Sequence, residues 1–193
     1  MKLLTYLSEK EKKELTAKKL QKNEVLFREG QRCREIGIVL HGSLIITSFL
    51  ENGTQIIYNT LEQNDMFGNN LLFSSDPFYK GDVLAAENSE VLLIREEELL
   101  GLMSDDPLFL KEYLKIQSDA GKDLHFQIRL LSIDSAQERL FYYLHEHSGR
   151  IRFTSVSALS KQLFLSRETL SRLLSKLTKE KRIIKEDDVI RLI

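Results

Sequence analysis

Residues 165–177, LSRETLSRLLSKL, divide cleanly into an apolar and a polar set. Leu170, Leu173, Leu174 and Leu177 recur at i, i+3, i+4 and i+7, and Glu168, Ser171, Arg172 and Ser175 repeat that spacing on the opposite side. This is the signature of an amphipathic helix with one face on a core. Ser166 is placed to cap its first turn. Just before it, Thr154 or Ser155 caps a shorter helix over VSALSKQL, and FLS is the turn between the two. RLFYYLHEH, introduced by a Ser135–Glu138 capping box, is a further helix, and GRIRFTS opens with a turn and a short strand. RIIKEDDVIRLI reads as two apolar runs around a charged turn, a small hairpin. Helix, turn, helix, then hairpin is the order of a winged helix-turn-helix.

The first half of the chain has a different period. EVLF, EIGIVL, SLIITSFL, TQIIYNTL and SEVLLI are short β-branched runs punctuated by glycines. Asn52-Gly53 is a strong hairpin signal between two of them. Strands at this spacing predict an antiparallel β-roll, with a short helix before it, capped by Ser8 and Glu11 and ending near Lys19. Between the two halves, Asp106 can cap and Pro107 can start a helix that meets no breaker except Gly121 until about Ile133. Such a helix is roughly 40 Å long. Leu110, Leu114, Gln117, Gly121, Leu124, Ile128 and Leu131 follow one another at alternating spacings of four and three, a heptad seam suited to a second copy of the chain. Gly121 weakens the helix but permits close backbone approach. The other reading of the seam is packing on the roll alone. The expected fold is therefore α+β: residues 1–106 a β-roll, 107–134 a dimerisation helix and hinge, and 135–193 the winged helix-turn-helix.

Charge sharpens this division. Residues 135–193 carry 12 basic and 7 acidic side chains, and residues 1–134 carry 16 and 22, so a basic third follows an acidic body. That asymmetry suits a polyanionic partner for the C-terminal third. Hydrophobic content of 42% and charged content of 30% are those of a soluble globular chain, and no apolar run reaches membrane-spanning length. The N-terminus is charged too early for a signal peptide. One cysteine, Cys33, excludes an internal disulfide and a four-cysteine zinc or iron–sulfur site within one chain. A reducing, cytoplasmic location is expected.

The polar face of the 166–177 helix fits the DNA major groove. Arg172 can bond guanine N7 and O6 as a pair, and Glu168 can accept from the cytosine amino group. Ser171 and Ser175 are short enough to let the helix sit deep. Thr169, Lys176 and the helix N-terminus, which Ser166 caps, can hold phosphates. Glu168 and Arg172 also make an ordinary i,i+4 surface pair, so a plain solvent face is the competing reading.

SRETLSR, together with the roll and the long helix in the same order, resembles the Crp/Fnr family of bacterial transcription regulators over essentially the whole chain. The resemblance implies base readout by Glu168 and Arg172, with Ser171 and Arg167 as further contacts, and a two-fold operator with a TTGAT or TGTGA core. In the turn, Phe164 stands where the family often has glycine. The partners implied are double-stranded DNA, a second copy, RNA polymerase, and a small effector or none. In the family the roll holds a cyclic nucleotide through a glutamate after Phe-Gly and an Arg-Ser pair. Here Gly68 is followed by Asn69 and Asn70, and Tyr79 and Lys80 stand at the Arg-Ser place. Both charged contacts are lost, so cyclic AMP is not expected to bind. A filled pocket and a different small ligand both stay open.

No cofactor is expected: haem and metal lack a ligand set, since His145 and His147 are two apart on a helix and His41 lies alone. A cupin-like enzyme would need several histidines within the strands. Arg32 and Arg34 flank Cys33 and could lower its pKa for a redox role, but an ordinary loop thiol is the favoured reading. The alternative function is a ligand-binding roll or regulatory subunit that acts through proteins without specific DNA binding.

Overall fold

The computed structural model describes residues 3–8 and 15–193. Two compact units divide the chain, 1–118 and 119–193.

The first unit is built on two four-stranded antiparallel sheets. Strands β1 (Thr16–Leu20), β8 (Ser89–Arg95), β3 (Glu35–His41) and β6 (Met66–Phe67) form one, in that order. Strands β2 (Val25–Phe27), β7 (Asp82–Ala85), β4 (Leu44–Phe49) and β5 (Gln55–Leu61) form the other. Inward residues of both sheets, among them Ile36, Ile38, Val91, Leu44 and Val83, share one core, which makes the unit a β-roll. Asn52-Gly53 turns β4 into β5, with Gly53 at φ 78°. Gly37 of β3 is required by contact: a Cβ there would run into the Phe67 ring of β6.

Two expectations fail at the ends of the roll. The helix predicted from Ser8 and Glu11 has its first part in residues 9–14, outside the described residues. Its tail, where Lys19 lies, is strand β1, paired residue for residue with β8 from Thr16↔Leu93 to Leu20↔Ser89. Pairing with the apolar β8 overrides a lysine-rich local pattern, and Lys18 and Lys19 then protect an exposed edge. Helix α1 (Glu96–Asp105) was not anticipated. It opens on three glutamates, and Glu98 accepts from the Arg95 backbone N–H at 2.8 Å.

Pro107 forces Asp106 into an extended conformation, φ −127° and ψ 104°, so α1 stops and helix α2 (Pro107–Leu131) starts afresh. The Asp106 carboxylate accepts from the Leu108 N–H at 2.8 Å. The boundary between the units falls inside α2, after Ser118, because the helix feeds both cores. Phe109 and Tyr113 are buried in the roll. Leu130 is fully buried in the second core, with Phe126 packed against it.

The second unit continues with α3 (Ala136–Glu146), β9 (Arg150–Arg152), α4 (Val156–Gln162), α5 (Arg167–Lys179) and the strands β10 (Ile183–Glu186) and β11 (Val189–Leu192). The last two form a hairpin, and β9 pairs with β11. Ser135 caps α3, and Ser155, rather than Thr154, caps α4. Leu140, Leu144, Leu159, Leu170, Leu174 and Leu177 meet in one core. The arrangement is a winged helix-turn-helix.

Candidate nucleic-acid interface

Helix α5 turns three leucines, Leu170, Leu174 and Leu177, into the core of its unit. That burial decides what is left outside. Ser166, Arg167, Glu168, Thr169, Ser171, Arg172, Ser175 and Lys176 are all exposed, and Ser166, Arg167, Glu168, Ser171 and Arg172 line one shallow surface depression. Ser166 accepts from the Thr169 N–H at 3.0 Å, and the two hydroxyls lie 2.8 Å apart. The cap satisfies one of the free N–H groups of the first turn and leaves the rest directed outward.

Glu168 and Arg172 are paired at 3.6 Å, with side chains 82% and 83% exposed. At that exposure the pair is worth only about 0.3–0.5 kcal/mol. Either side chain is therefore released at little cost to bond a base edge. Lys176 lies 3.9 Å from Glu180, an equally loose pair. The Ser175 hydroxyl donates to the Ser171 carbonyl at 3.0 Å and so lies flat against the helix. The tip of the wing is acidic, Glu186, Asp187 and Asp188, partly paired with Arg191 and Arg152.

The turn between α4 and α5 holds Phe164 at φ 52°, in the left-handed region, and the residue is 43% exposed. Glycine takes that conformation without strain, and a side chain costs about 1–2 kcal/mol there. The turn is held by a residue outside the helix-turn-helix motif. Arg139, on the second turn of α3, donates through one amino group to the carbonyls of Leu163 at 3.2 Å and Phe164 at 3.0 Å. Its other two nitrogens donate to the Ile133 carbonyl, at 3.0 and 2.6 Å. The sequence did carry a signal for it. Arg139 falls between Ala136 and Leu140 on the inward face of α3, where a charge needs partners.

The other candidate residues sit in the first unit and on α2. Tyr79 is buried, its ring stacked on Phe27 at 4.8 Å, and its hydroxyl lies 3.6 Å from the Cys33 thiol. Gly68 is closed in as well: a Cβ there would come within 3.3 Å of both the Cys33 sulfur and the Tyr79 hydroxyl. Phenol, thiol and Phe27 thus fill the space beside Phe67-Gly68. Burial raises the Tyr79 phenol well above its ordinary pKa. The expectation that Arg32 and Arg34 lower the Cys33 pKa fails. The thiol is buried and burial raises its pKa, while both arginines are exposed. Lys80 points outward and pairs with Asp76. Asn70 is exposed. Asn69 is engaged by α2: its amide donates to the Gln117 oxygen at 2.8 Å, and Gln117 donates back to the Asn69 carbonyl at 2.8 Å.

Gln117 is thus turned to the roll and not to a helix seam. Leu110 is half-buried. The rest of the seam is bare: Leu114, Leu124, Ile128 and Leu131 are each more than half exposed, and Gly121 lies among them. Among the described residues, no cluster of three or more His, Cys, Asp or Glu could hold a metal, and no helix is long and apolar enough to cross a membrane.

A β-roll, a long helix and a helix-turn-helix with an exposed, cation-bearing polar face define a DNA-binding transcription regulator. The family model described as a cyclic nucleotide-binding domain matches residues 17–106. The anaerobic regulatory protein of Bacillus subtilis is 25% identical over 86% of this chain and 74% of its own length. Regulatory protein HlyX of Actinobacillus pleuropneumoniae is 27% identical over 84% of this chain and 71% of its own. In fold, the chain is similar to the catabolite activator protein of Thermus thermophilus, at 18% identity, a TM-score of 0.58, and coverage of 100% of this chain and 94% of that one. A CooA variant from Carboxydothermus hydrogenoformans gives 17% identity, a TM-score of 0.65, and coverage of 100% and 90%. Residues 17–106 thus match the cyclic nucleotide-binding domain family, and the chain is similar to these regulatory proteins over more than four fifths of its length.

Proposed function

We propose that the chain acts as a homodimer on a two-fold symmetric operator, each copy placing α5 in the major groove. The observation that carries this reading is the exposure of all eight polar residues from Ser166 to Lys176 on a helix whose opposite face is buried. Arg172 reads a G·C pair and Glu168 a cytosine, while Lys176, Thr169 and the capped N-terminus hold phosphates. The acidic wing tip repels phosphates, so positioning falls to α5 and its flanks. Fluorescence anisotropy on a family-type palindrome tests the assignment. Arg172→Ala costs about 1–3 kcal/mol and relaxes preference at one base pair. Lys176→Ala weakens all sequences alike and lowers the salt slope by about one. Equal loss on all sequences from Arg172→Ala contradicts the base-reading role.

The second copy covers the bare seam of α2. Full burial of a leucine or isoleucine is worth about 1.5–3 kcal/mol, so four half-exposed side chains on each of two helices supply the driving force for association. Two half-sites one helical turn apart, about 34 Å, then follow from the two-fold axis. Charged substitutions at Leu124 or Ile128 give monomers of weak DNA affinity, measured by sedimentation at micromolar concentration. A monomeric wild-type protein under the same conditions overturns the seam.

The roll works without a cyclic nucleotide. The stacked Tyr79 ring and the Cys33 thiol stand beside Phe67-Gly68, where the resemblance places the ligand, and Tyr79 takes the position of the arginine that would fork the phosphate. Asn69, placed to meet a ribose, is already bonded to Gln117. Losing two charge-assisted bonds weakens a site about 10²- to 10⁴-fold. Calorimetry with cyclic AMP and cyclic GMP at millimolar concentration shows no saturable heat. A low-micromolar dissociation constant, with DNA affinity rising in step, refutes the filled pocket.

A further inference from the structure

We infer that Arg139 is a positioning residue for base readout: its guanidinium fixes the turn that launches α5 to the end of α2. The inference rests on the DNA-binding reading of α5.

Three backbone carbonyls converge on one side chain. Ile133 lies just past the end of α2, and its carbonyl takes two of the guanidinium's nitrogens, at 3.0 and 2.6 Å. Leu163 and Phe164 form the turn before Ser166, and their carbonyls take the third, at 3.2 and 3.0 Å. The planar fork of arginine can serve both sides at once, because its donors lie in fixed directions. A lysine has a single nitrogen at the same reach. The half-buried location matters as well, since an unsatisfied carbonyl or charge is costlier there than at the surface.

The turn it holds is strained. Phe164 sits at φ 52°, and a backbone in that region persists only when its surroundings fix it. Two residues later Ser166 caps α5, and Arg167 and Glu168 follow at once. A small rotation of the turn therefore swings the base-reading residues, whereas the leucine contacts of α5 still hold the helix on its core. Base hydrogen bonds need accurate placement and phosphate contacts do not. The clamp should act on discrimination more than on general affinity for DNA.

The test uses the full chain and two duplexes of equal length: one that the wild-type protein selects from a random pool, and a scrambled one. Arg139→Lys keeps the charge and most of the side chain. It weakens binding to the selected duplex about tenfold, the loss of one or two hydrogen bonds, and leaves the scrambled duplex within about twofold. Arg139→Ala, measured well below its melting temperature, lowers the ratio at least as far. Phe164→Gly, which removes the strain, keeps the ratio of the wild type. Variants that melt earlier yet hold the wild-type ratio when folded reduce Arg139 to a stabilising contact and overturn the inference. An equal loss on both duplexes from Arg139→Lys overturns it too. A wild-type protein that selects no sequence removes the reading of α5 itself, a distinct failure visible before any variant is made.

Discussion

The burial of Leu170, Leu174 and Leu177 is the constraint on which the interface depends. Three leucines at spacings of four and three leave α5 one way to pack. That packing turns Glu168, Ser171, Arg172 and Ser175 outward together. The same residues in a helix free to roll would present a changing surface and read no sequence. The core thus does the orienting. The polar side chains stay loosely paired, as Glu168 and Arg172 are, and are cheap to redirect to bases.

The roll and α2 place different demands on their residues. Asn69 and Gln117 bond each other twice, and Tyr113 adds its hydroxyl to Gln117 at 2.9 Å. This clasp ties α2 to the segment that follows Phe67-Gly68. Here Tyr79 and Cys33 occupy the neighbouring interior, and the clasp is satisfied by protein groups alone. This supports the proposal that DNA binding does not wait for a cyclic nucleotide.

Much of this was legible in the sequence, for physical reasons that differ by element. The α5 window declared itself through period and cap, and Ser135 and Ser155 marked two further helix starts by the same chemistry. Strands β3, β4, β5 and β8 were visible as β-branched runs. Strand β1 was not, because Thr16–Leu20 is polar on most of its length and owes its conformation to pairing with β8. Helix α1 was obscured by its closeness to α2, from which only Asp106 separates it. Gln117 fitted the heptad spacing, yet hydrogen bonding to Asn69 outweighed that register. Arg32 and Arg34 offered Cys33 an activating neighbourhood in sequence, but the thiol is buried while both arginines are exposed. Arg139 lay hidden in an amphipathic pattern because its partners are backbone carbonyls, which no side-chain motif records.

The central claim is that two copies of α5 read DNA from a two-fold axis. Repeated selection of wild-type-bound duplexes from a random pool tests it most directly. The account predicts an inverted repeat whose half-sites each contain a G·C pair and whose centres lie one helical turn apart, about 10 base pairs. Enrichment of a single unpaired motif, or of no motif at low salt, would contradict it.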